Sequence, residues 1–280
     1  MGNVIVIGAG AMGSGIAQTV AQAGYSVYLT DKNKNALESG LDSIRKGLEL
    51  LEKKGNITEQ EKNDTLGRIT LLEDMKGIVE PVLIIEAIVE NMAVKKALWQ
   101  ELSPLIGPST YLASNTSSLS ITEQAVSTSN PDKFIGLHFF NPVPKMELVE
   151  IITGASTSED TFQWAKEFVK SLGKTGVVVK ESPGFVFNRL IIPMINEAIK
   201  LYADGIAGAA DIDATLKLGA SHPIGPLALA DFIGLDVVLD IMTYLAKELG
   251  EAKYSPAPLL REMVKDGLLG RKTGKGFFDY

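Results

Sequence analysis

Short apolar runs alternate with amphipathic segments along roughly the first two thirds of the chain. The apolar runs are rich in β-branched residues, as in buried strands, whereas the amphipathic segments repeat apolar positions every three or four residues, as in helices. Strands are predicted at 4–7, 26–30, 69–72, 82–87, 111–114, 134–138, 146–152 and 177–179, and helices at 11–23, 35–54, 58–66, 94–102, 121–126 and 157–172. Thr58, followed by Glu61, is the expected cap of the third helix. This alternation predicts an α/β domain built on a doubly wound, mainly parallel sheet.

The pattern changes after residues 181–184, beyond which we predict no strand except near the last few residues. Helices are predicted at 185–203, 211–218, 227–249 and 259–265, with Asp211 as the cap of the second. The helix at 227–249 is apolar on more than one face, which indicates burial at a domain or subunit contact. We therefore divide the chain into an α/β domain of residues 1–182 and an all-helical domain of residues 183–280.

A glycine pattern follows the first predicted strand. Gly8, Gly10 and Gly13 form G-x-G-x-x-G at the turn into the helix that begins with Ala11 and Met12. The first glycine permits the tight turn, the second lets the backbone approach a pyrophosphate, and the third lets the helix pack closely on the strand. The amino end of that helix offers N–H groups and the positive end of its dipole to phosphate. The sequence therefore predicts a Rossmann-type dinucleotide site.

Asp31 follows the second predicted strand, about 20 residues past Gly10, where this fold holds the adenosine ribose. Its carboxylate accepts hydrogen bonds from ribose hydroxyls and repels a 2′-phosphate, which favours NAD(H). Lys32 and Lys34 lie close to it in the sequence, so NADP(H) stays an alternative on the sequence alone.

The composition excludes several classes of protein and of site. The 280 residues carry a net charge of −7, with 45% hydrophobic and 22% charged residues, as in ordinary globular proteins. This charge argues against nonspecific nucleic-acid binding, and a polyanionic ligand would need a local basic patch. The chain has no cysteine, which excludes disulfides, cysteine-ligated zinc and a cysteine nucleophile, and which fits a cytoplasmic protein. We predict no membrane helix, because no apolar run is long enough. We also predict no signal or transit peptide, because no basic region precedes the first apolar run, which is a predicted strand with a glycine turn.

Ligands bind outside the carboxyl ends of the strands in open α/β sheets, so residues that directly follow strands form the candidate site. Besides the glycine loop, these are Asp31, Glu90, residues 115–118 and residues 138–141. His138 lies at a strand exit and is a stronger candidate than His222, the other histidine, which lies in a connection between helices. Hydride transfer at a C–OH carbon needs a group that exchanges a proton near neutral pH, and histidine suits that task.

Charged residues near these positions leave two questions open. A carboxylate on the other ring nitrogen would hold a cationic imidazole, and Glu147 and Glu150 on the following predicted strand are the candidates. They are three residues apart, so on a regular strand they face opposite sides and at most one faces the site. Lys53 and Lys54, on the helix predicted at 35–54, form either a solvated face or an anchor for a phosphate-bearing substrate.

Three separated motifs indicate a particular family of enzymes. They are Ser114-Asn115-Thr116-Ser117-Ser118-Leu119, Gly136-Leu137-His138-Phe139-Phe140-Asn141-Pro142 and Pro183-Gly184-Phe185-Val186-Phe187-Asn188-Arg189. In this order they resemble the short-chain L-3-hydroxyacyl-CoA dehydrogenases, and most of all the bacterial 3-hydroxybutyryl-CoA dehydrogenases. The last residues, 270–280, are similar to the carboxyl terminus of that family, so the resemblance covers essentially the whole chain.

The resemblance implies a role for each matching position. His138 would be the general base in alcohol oxidation and the general acid in ketone reduction, and Glu150 would orient it and stabilise its cationic form. Ser117 and Asn188 would donate hydrogen bonds to the substrate oxygen, with Asn188 reaching the site from the second domain across an interdomain cleft. Lys53 and Lys54 would bind the phosphates of CoA. The cofactor-binding residues would be Gly8, Gly10, Ala11, Met12, Gly13, Asp31, Glu90, Lys95, Asn115, Ser117 and Asn141.

These inferences predict an oxidoreductase that interconverts (S)-3-hydroxybutyryl-CoA and acetoacetyl-CoA with NAD(H). We expect no metal, an acyl-CoA substrate, and a homodimer formed through the helical domain. Two alternatives stay open: a two-domain Rossmann dehydrogenase of a hydroxy acid without CoA, and a dinucleotide-binding protein without catalytic activity. The four implied catalytic positions match the family pattern, which argues against the second alternative.

Overall fold

The computed structural model of the protein describes residues 2–73 and 81–280. The chain forms two compact units, residues 1–181 and residues 182–280, and each is described by itself below. In the part of the chain that the structure describes, no helix combines the length and the apolar character needed to span a membrane.

The first unit is an eight-stranded sheet with helices between its strands. Its strands are β1 (Asn3–Ile7), β2 (Ser26–Thr30), β3 (Ile69–Leu72), β4 (Leu83–Glu86), β5 (Tyr111–Ser114), β6 (Phe134–Phe139), β7 (Leu148–Thr153) and β8 (Thr175–Lys180). Its helices are α1 (Ala11–Gln22), α2 (Lys34–Lys53), α3 (Glu59–Gly67), α4 (Met92–Leu102), α5 (Ile121–Ala125) and α6 (Glu159–Ser171). The strand order is β3-β2-β1-β4-β5-β6-β7-β8, and only the β6–β7 pair is antiparallel. The predicted Rossmann-type, mainly parallel sheet is confirmed.

The strand order determines where a ligand can bind. The chain proceeds outward from β1 to β2 and β3, and then returns to place β4 on the other side of β1. Neighbouring connections therefore diverge at the carboxyl ends of β1 and β4, which opens a crevice at that edge of the sheet. Because β1 to β6 are parallel, the residues that follow β1, β2, β4, β5 and β6 all lie along this edge.

Apolar strands and helix faces form the core of the first unit. Val4, Val6 and Ile85 in the central strands are fully buried in one apolar cluster, to which α2 contributes Ile44 and Leu48. The predicted cap of α3 is confirmed as a complete capping box, in which the side chains of Thr58 and Glu61 each accept a hydrogen bond from the other residue's backbone N–H.

The second unit is helical. Its helices are α7 (Phe187–Ala203), α8 (Ala209–Gly219), α9 (Pro226–Ile233), α10 (Leu235–Leu249) and α11 (Pro258–Lys265). Ile192, Ile195, Leu227, Val238 and Met242 are among the fully buried residues of its core. Within this unit the structure shows no strand, and only isolated bridges join Gly270 to Lys275 and Lys275 to Asp279.

Three sequence predictions were wrong in their local detail. The helix predicted at 227–249 is broken at Gly234, whose φ of 102° is incompatible with a continuous α-helix. The cap of α8 is Gly208, and Asp211 lies in the first turn, where an acidic side chain also favours the helix. The strand predicted from residue 146 begins at Leu148, because the N–H groups of Lys145 and Met146 donate to the Pro142 carbonyl in a turn. Other element bounds differ by one or two residues.

The break at Gly234 yields a stability prediction. A Cβ at this position would lie 3.0 Å from Asp236 Oδ1 and 3.1 Å from Lys272 Nζ, on a backbone that L-residues rarely adopt. Gly234→Ala is expected to lower the free energy of unfolding by about 1–3 kcal/mol in urea denaturation. Gly219→Ala is the matched control, because its Cβ would meet nothing within 4 Å. Equal urea midpoints for the two variants would contradict this explanation of the break.

Candidate active site

The loop after β1 is packed closely on one side and open on the other. A Cβ on Gly13 would lie 1.7 Å from the carbonyl oxygen of Gly8, which itself adopts φ of 105°. A Cβ on Gly10 would meet nothing within 4 Å, and Gly10 is the exposed N-cap of α1 without a side-chain cap. The loop thus presents backbone N–H groups and the start of α1, with Ala11 and Met12, to open space. This shape fits a dinucleotide pyrophosphate.

Asp31 lies directly after β2 and is tied to the glycine loop. Its Oδ2 accepts a hydrogen bond from the Ala9 N–H at 2.9 Å, and its Oδ1 accepts one from the Asn33 N–H at 2.9 Å. Each carboxylate oxygen can accept a further bond, as binding to ribose hydroxyls requires. Lys34, one of the two lysines that left NADP(H) open, forms an ion pair with Glu73 at 2.7 Å.

Glu90 organises the loop after β5. Its Oε1 accepts hydrogen bonds from Thr116 Oγ1 at 2.6 Å, from the Ser117 N–H at 2.8 Å and from Ser117 Oγ at 3.2 Å. Its Oε2 lies 3.3 Å from Lys95 Nζ. Burial alone would raise the pKa of Glu90, but the Lys95 ammonium, the Thr116 hydroxyl and the Ser117 N–H together lower it below its ordinary value. Glu90 is therefore a carboxylate near neutral pH.

A buried ion pair lies beside Glu90. Lys95 Nζ donates to Glu86 Oε1 at 2.5 Å, and the two side chains are only 1% and 0% exposed. Glu86 Oε1 also accepts from the Ile88 N–H at 2.8 Å, and Glu86 Oε2 accepts from Ser114 Oγ at 2.6 Å. The described contacts of the Lys95 ammonium are thus with two carboxylates of the protein, those of Glu86 and Glu90. Glu86 was not among the predicted site residues, although it is an acid at the end of the otherwise apolar strand Leu83–Glu86, which is a usable signal.

His138 and Glu150 are paired by the register of the sheet. They are direct partners in the antiparallel β6–β7 ladder, and His138 Nδ1 lies 2.7 Å from Glu150 Oε2. Both side chains are buried, and the His138 ring lies 4.4 Å from that of Phe140. Glu147 is exposed and precedes β7, so the carboxylate at the imidazole is that of Glu150.

The loop after β5 also contacts the backbone next to His138. Asn115 Oδ1 accepts a hydrogen bond from the Phe139 N–H at 2.9 Å, which links the end of β6 to this loop. Glu90, Ser117 and His138 are therefore joined through successive hydrogen-bonded or adjacent residues on one sheet edge.

A cleft adjoins the glycine loop within the first unit. Its volume is about 510 Å³, and its walls are the glycine loop, parts of α1 and α2, and the turn at 141–144 that includes Asn141. Gly40 lets α2 approach this loop, since a Cβ there would lie 2.7 Å from the Ala9 carbonyl oxygen. Gly40 was not among the predicted site residues. The cleft thus lies between the glycine loop and the segment that follows His138.

The other predicted residues are on α2 and in the second unit. Lys53 and Lys54 are exposed at the carboxyl end of α2 and are not part of the cleft lining. Asn188 is buried near the start of α7 in the second unit. Among the residues that the structure describes, no cluster of three or more His, Cys, Asp or Glu side chains could hold a metal ion.

Comparisons with known proteins agree with this geometry. The model of the 3-hydroxyacyl-CoA dehydrogenase NAD-binding domain matches residues 3–182, and the model of the 3-hydroxyacyl-CoA dehydrogenase C-terminal domain matches residues 184–280. A 3-hydroxybutyryl-CoA dehydrogenase from Clostridioides difficile is 51% identical over 275 residues, which cover 98% of each chain. A probable 3-hydroxybutyryl-CoA dehydrogenase from Bacillus subtilis is 50% identical over 99% of this chain and 96% of its own length.

The same similarity extends to a solved structure. The crystal structure of an (S)-3-hydroxybutyryl-CoA dehydrogenase from Ralstonia eutropha superposes with a TM-score of 0.95 at 46% identity, covering 99% of this chain and 98% of that one. The glycine loop and Asp31 have the geometry expected of a dinucleotide site. The chain is therefore an NAD(H)-dependent oxidoreductase that belongs to the 3-hydroxyacyl-CoA dehydrogenase family.

Proposed function

We propose that the protein interconverts (S)-3-hydroxybutyryl-CoA and acetoacetyl-CoA, with His138 as the general acid and base. The observation that carries this proposal is the buried pairing of His138 Nδ1 with Glu150 Oε2 at 2.7 Å, on the sheet edge that carries the glycine loop and Asp31. The substrate is chosen from the relatives, whose names specify 3-hydroxybutyryl-CoA.

The pairing of Nδ1 with Glu150 supports Nε2 as the ring nitrogen of His138 that exchanges a proton with the substrate. When Nδ1 carries its proton, it donates to the Glu150 carboxylate, and Nε2 is then the acceptor in the neutral ring. In alcohol oxidation Nε2 takes the hydroxyl proton, and Glu150 stabilises the resulting imidazolium. In ketone reduction the imidazolium returns this proton to the carbonyl oxygen. NAD(H), when bound, supplies the hydride acceptor or donor.

Two further residues are proposed to act on the substrate oxygen. Ser117 Oγ and Asn188 would donate hydrogen bonds to this oxygen as negative charge develops on it. For Ser117, support comes from Glu90, whose carboxylate accepts from the Ser117 N–H at 2.8 Å and so positions the loop. To donate to the substrate, the Ser117 hydroxyl would turn its one proton from Glu90 Oε1 to the substrate oxygen. For Asn188 the proposal depends on the family resemblance.

The proposal includes contacts for the CoA phosphates. Lys53 and Lys54 are exposed neighbours at the end of α2 and supply a local positive charge on a chain with a net charge of −7. If they bind these phosphates, removing both charges raises the KM for acetoacetyl-CoA by about threefold to tenfold, and added salt weakens the difference. Lys46→Ala, on the same helix, is the control.

We also propose an organisation for the whole protein. Residues 1–182 would bind the cofactor, and residues 183–280 would support substrate binding and a homodimer in the cytoplasm. A dimer would cover some of the apolar side chains exposed on the second unit, such as Leu190, Ile206 and Leu218, which are 67%, 70% and 85% exposed. Sedimentation velocity checks this proposal, which a monomer at micromolar concentration would contradict.

A substrate panel tests the proposed reaction. The protein is expected to oxidise NADH with acetoacetyl-CoA and to show little turnover with free acetoacetate, because the CoA portion supplies binding energy. NADPH is expected to be the poorer cofactor because of Asp31. Absorbance at about 340 nm follows each reaction. Turnover of free acetoacetate at a similar kcat/KM would favour the non-CoA hydroxy-acid alternative, and no turnover with any substrate would favour the non-catalytic one.

Replacement of His138 tests the mechanism. His138→Gln keeps a similar volume but removes the proton acceptor, and kcat is expected to fall by about a hundredfold or more, with the Kd for NADH little changed. Stopped-flow kinetics and NADH fluorescence measure the two quantities. His222→Gln is the matched control, because it replaces the other histidine, and it should keep near-normal kcat. Near-normal turnover in His138→Gln would refute the proposed role.

A further inference from the structure

A buried cluster of three charges lies after β4, within the first unit. Glu86 and Glu90 share the Lys95 ammonium, at 2.5 Å and 3.3 Å. Glu86 is completely buried and accepts hydrogen bonds from Lys95, Ile88 and Ser114, so its carboxylate charge is stabilised by three donors. Two carboxylates and one ammonium leave the cluster with one net negative charge.

The topology places this cluster under one half of the dinucleotide site. The adenosine ribose is expected at Asp31 after β2, and the pyrophosphate at the loop after β1. β4 and β5 lie on the other side of β1 from β2. The nicotinamide half is therefore expected over the ends of β4 and β5, where Glu90 and the Ser117 loop lie and where His138 follows on β6.

We infer that Glu86 is a positioning residue that gives the cluster its net negative charge and thereby makes the site favour NAD⁺ over NADH. It acts through Lys95, since its fully buried carboxylate does not face a ligand. Without Glu86 the Lys95–Glu90 pair would be neutral. The inference rests on the proposed function, because it concerns the cofactor form bound beside His138.

Electrostatics gives the direction and size of the effect. The oxidised nicotinamide ring carries a positive charge and the reduced ring carries none, so the cluster attracts only the oxidised form. One charge at about 10 Å, in a medium with an effective dielectric constant of about 20, changes affinity by roughly tenfold. Contacts that NAD⁺ and NADH share cancel in the ratio of their dissociation constants. The ratio of Kd(NAD⁺) to Kd(NADH) is therefore the diagnostic quantity.

The experiment measures both dissociation constants by isothermal titration calorimetry in the full-length protein. Glu86→Gln keeps the shape of the side chain but removes its charge, and the ratio is expected to rise by on the order of tenfold. In Lys95→Gln the ratio should stay the same or fall, because the cluster keeps at least one negative charge. In the double variant Glu86→Gln/Lys95→Gln, Glu90 alone restores the net charge of the wild type, and the ratio should return toward the wild-type value.

Asp213→Asn is the control for a purely structural effect. Asp213 is a buried carboxylate of the second unit that accepts from the N–H groups of Leu227 and Ala228, at 2.8 Å and 2.9 Å. Its replacement should lower thermal stability without changing the ratio. If Glu86→Gln does not fold, Glu90→Gln decides the question, because it leaves only the neutral Glu86–Lys95 pair and should raise the ratio by the same order. An unchanged ratio in Glu90→Gln would then overturn the inference.

Three other results would overturn the inference. They are an unchanged ratio in folded Glu86→Gln, a raised ratio in Lys95→Gln, and a double variant that stays raised like Glu86→Gln. Whether the wild type reduces acetoacetyl-CoA distinguishes a failure of the inference about Glu86 from a failure of the proposed function. If the wild type reduces acetoacetyl-CoA and one of these results occurs, only the inference fails. A wild type that binds neither NAD⁺ nor NADH would refute the proposed function together with the inference.

Discussion

Parallel pairing of β1 with β2 and β4 is the constraint on which the candidate site depends. Parallel strands end at the same edge, so the glycine loop, Asp31 and Glu90 become neighbours in space although they are distant in sequence. The β4–β5 and β5–β6 pairs extend the edge to Ser117 and His138. The one antiparallel pair, β6–β7, then places Glu150 directly opposite His138. A shift of one residue in that register would turn Glu150 to the other face of the sheet and leave the imidazole without its carboxylate.

Buried charge at this edge is tolerated because donors and acceptors are paired. In the part of the chain that the structure describes, no buried side-chain nitrogen or oxygen lacks a hydrogen-bond partner. Glu86 and Lys95 form a buried ion pair, and Glu150 is paired with the His138 imidazole. Removing one partner from such a pair costs several kcal/mol, roughly 3–5, because the other charge stays buried. The charged residues of this edge are thus held in place by their partners.

The sequence predicted the fold and most of the candidate site for identifiable physical reasons. Buried parallel strands are β-branched runs, and three glycines with distinct steric requirements specify the turn after β1, so both features are visible locally. Which of Glu147 and Glu150 faces His138 depends on pairing register and on where β7 begins, and residue spacing alone left both open. Glu86 was missed because its role depends on Lys95 and Ser114, which lie on other elements. The break at Gly234 was missed because the apolar pattern continues through it.

In the proposed mechanism, His138, paired with Glu150, takes and returns the proton of the substrate oxygen beside the dinucleotide. A crystal structure of the protein with NAD⁺ and acetoacetyl-CoA measures this most directly. We expect the 3-keto oxygen within about 2.6–3.2 Å of His138 Nε2, with Asp31 on the adenosine ribose. A bound substrate whose keto oxygen makes no hydrogen bond to His138 would contradict it.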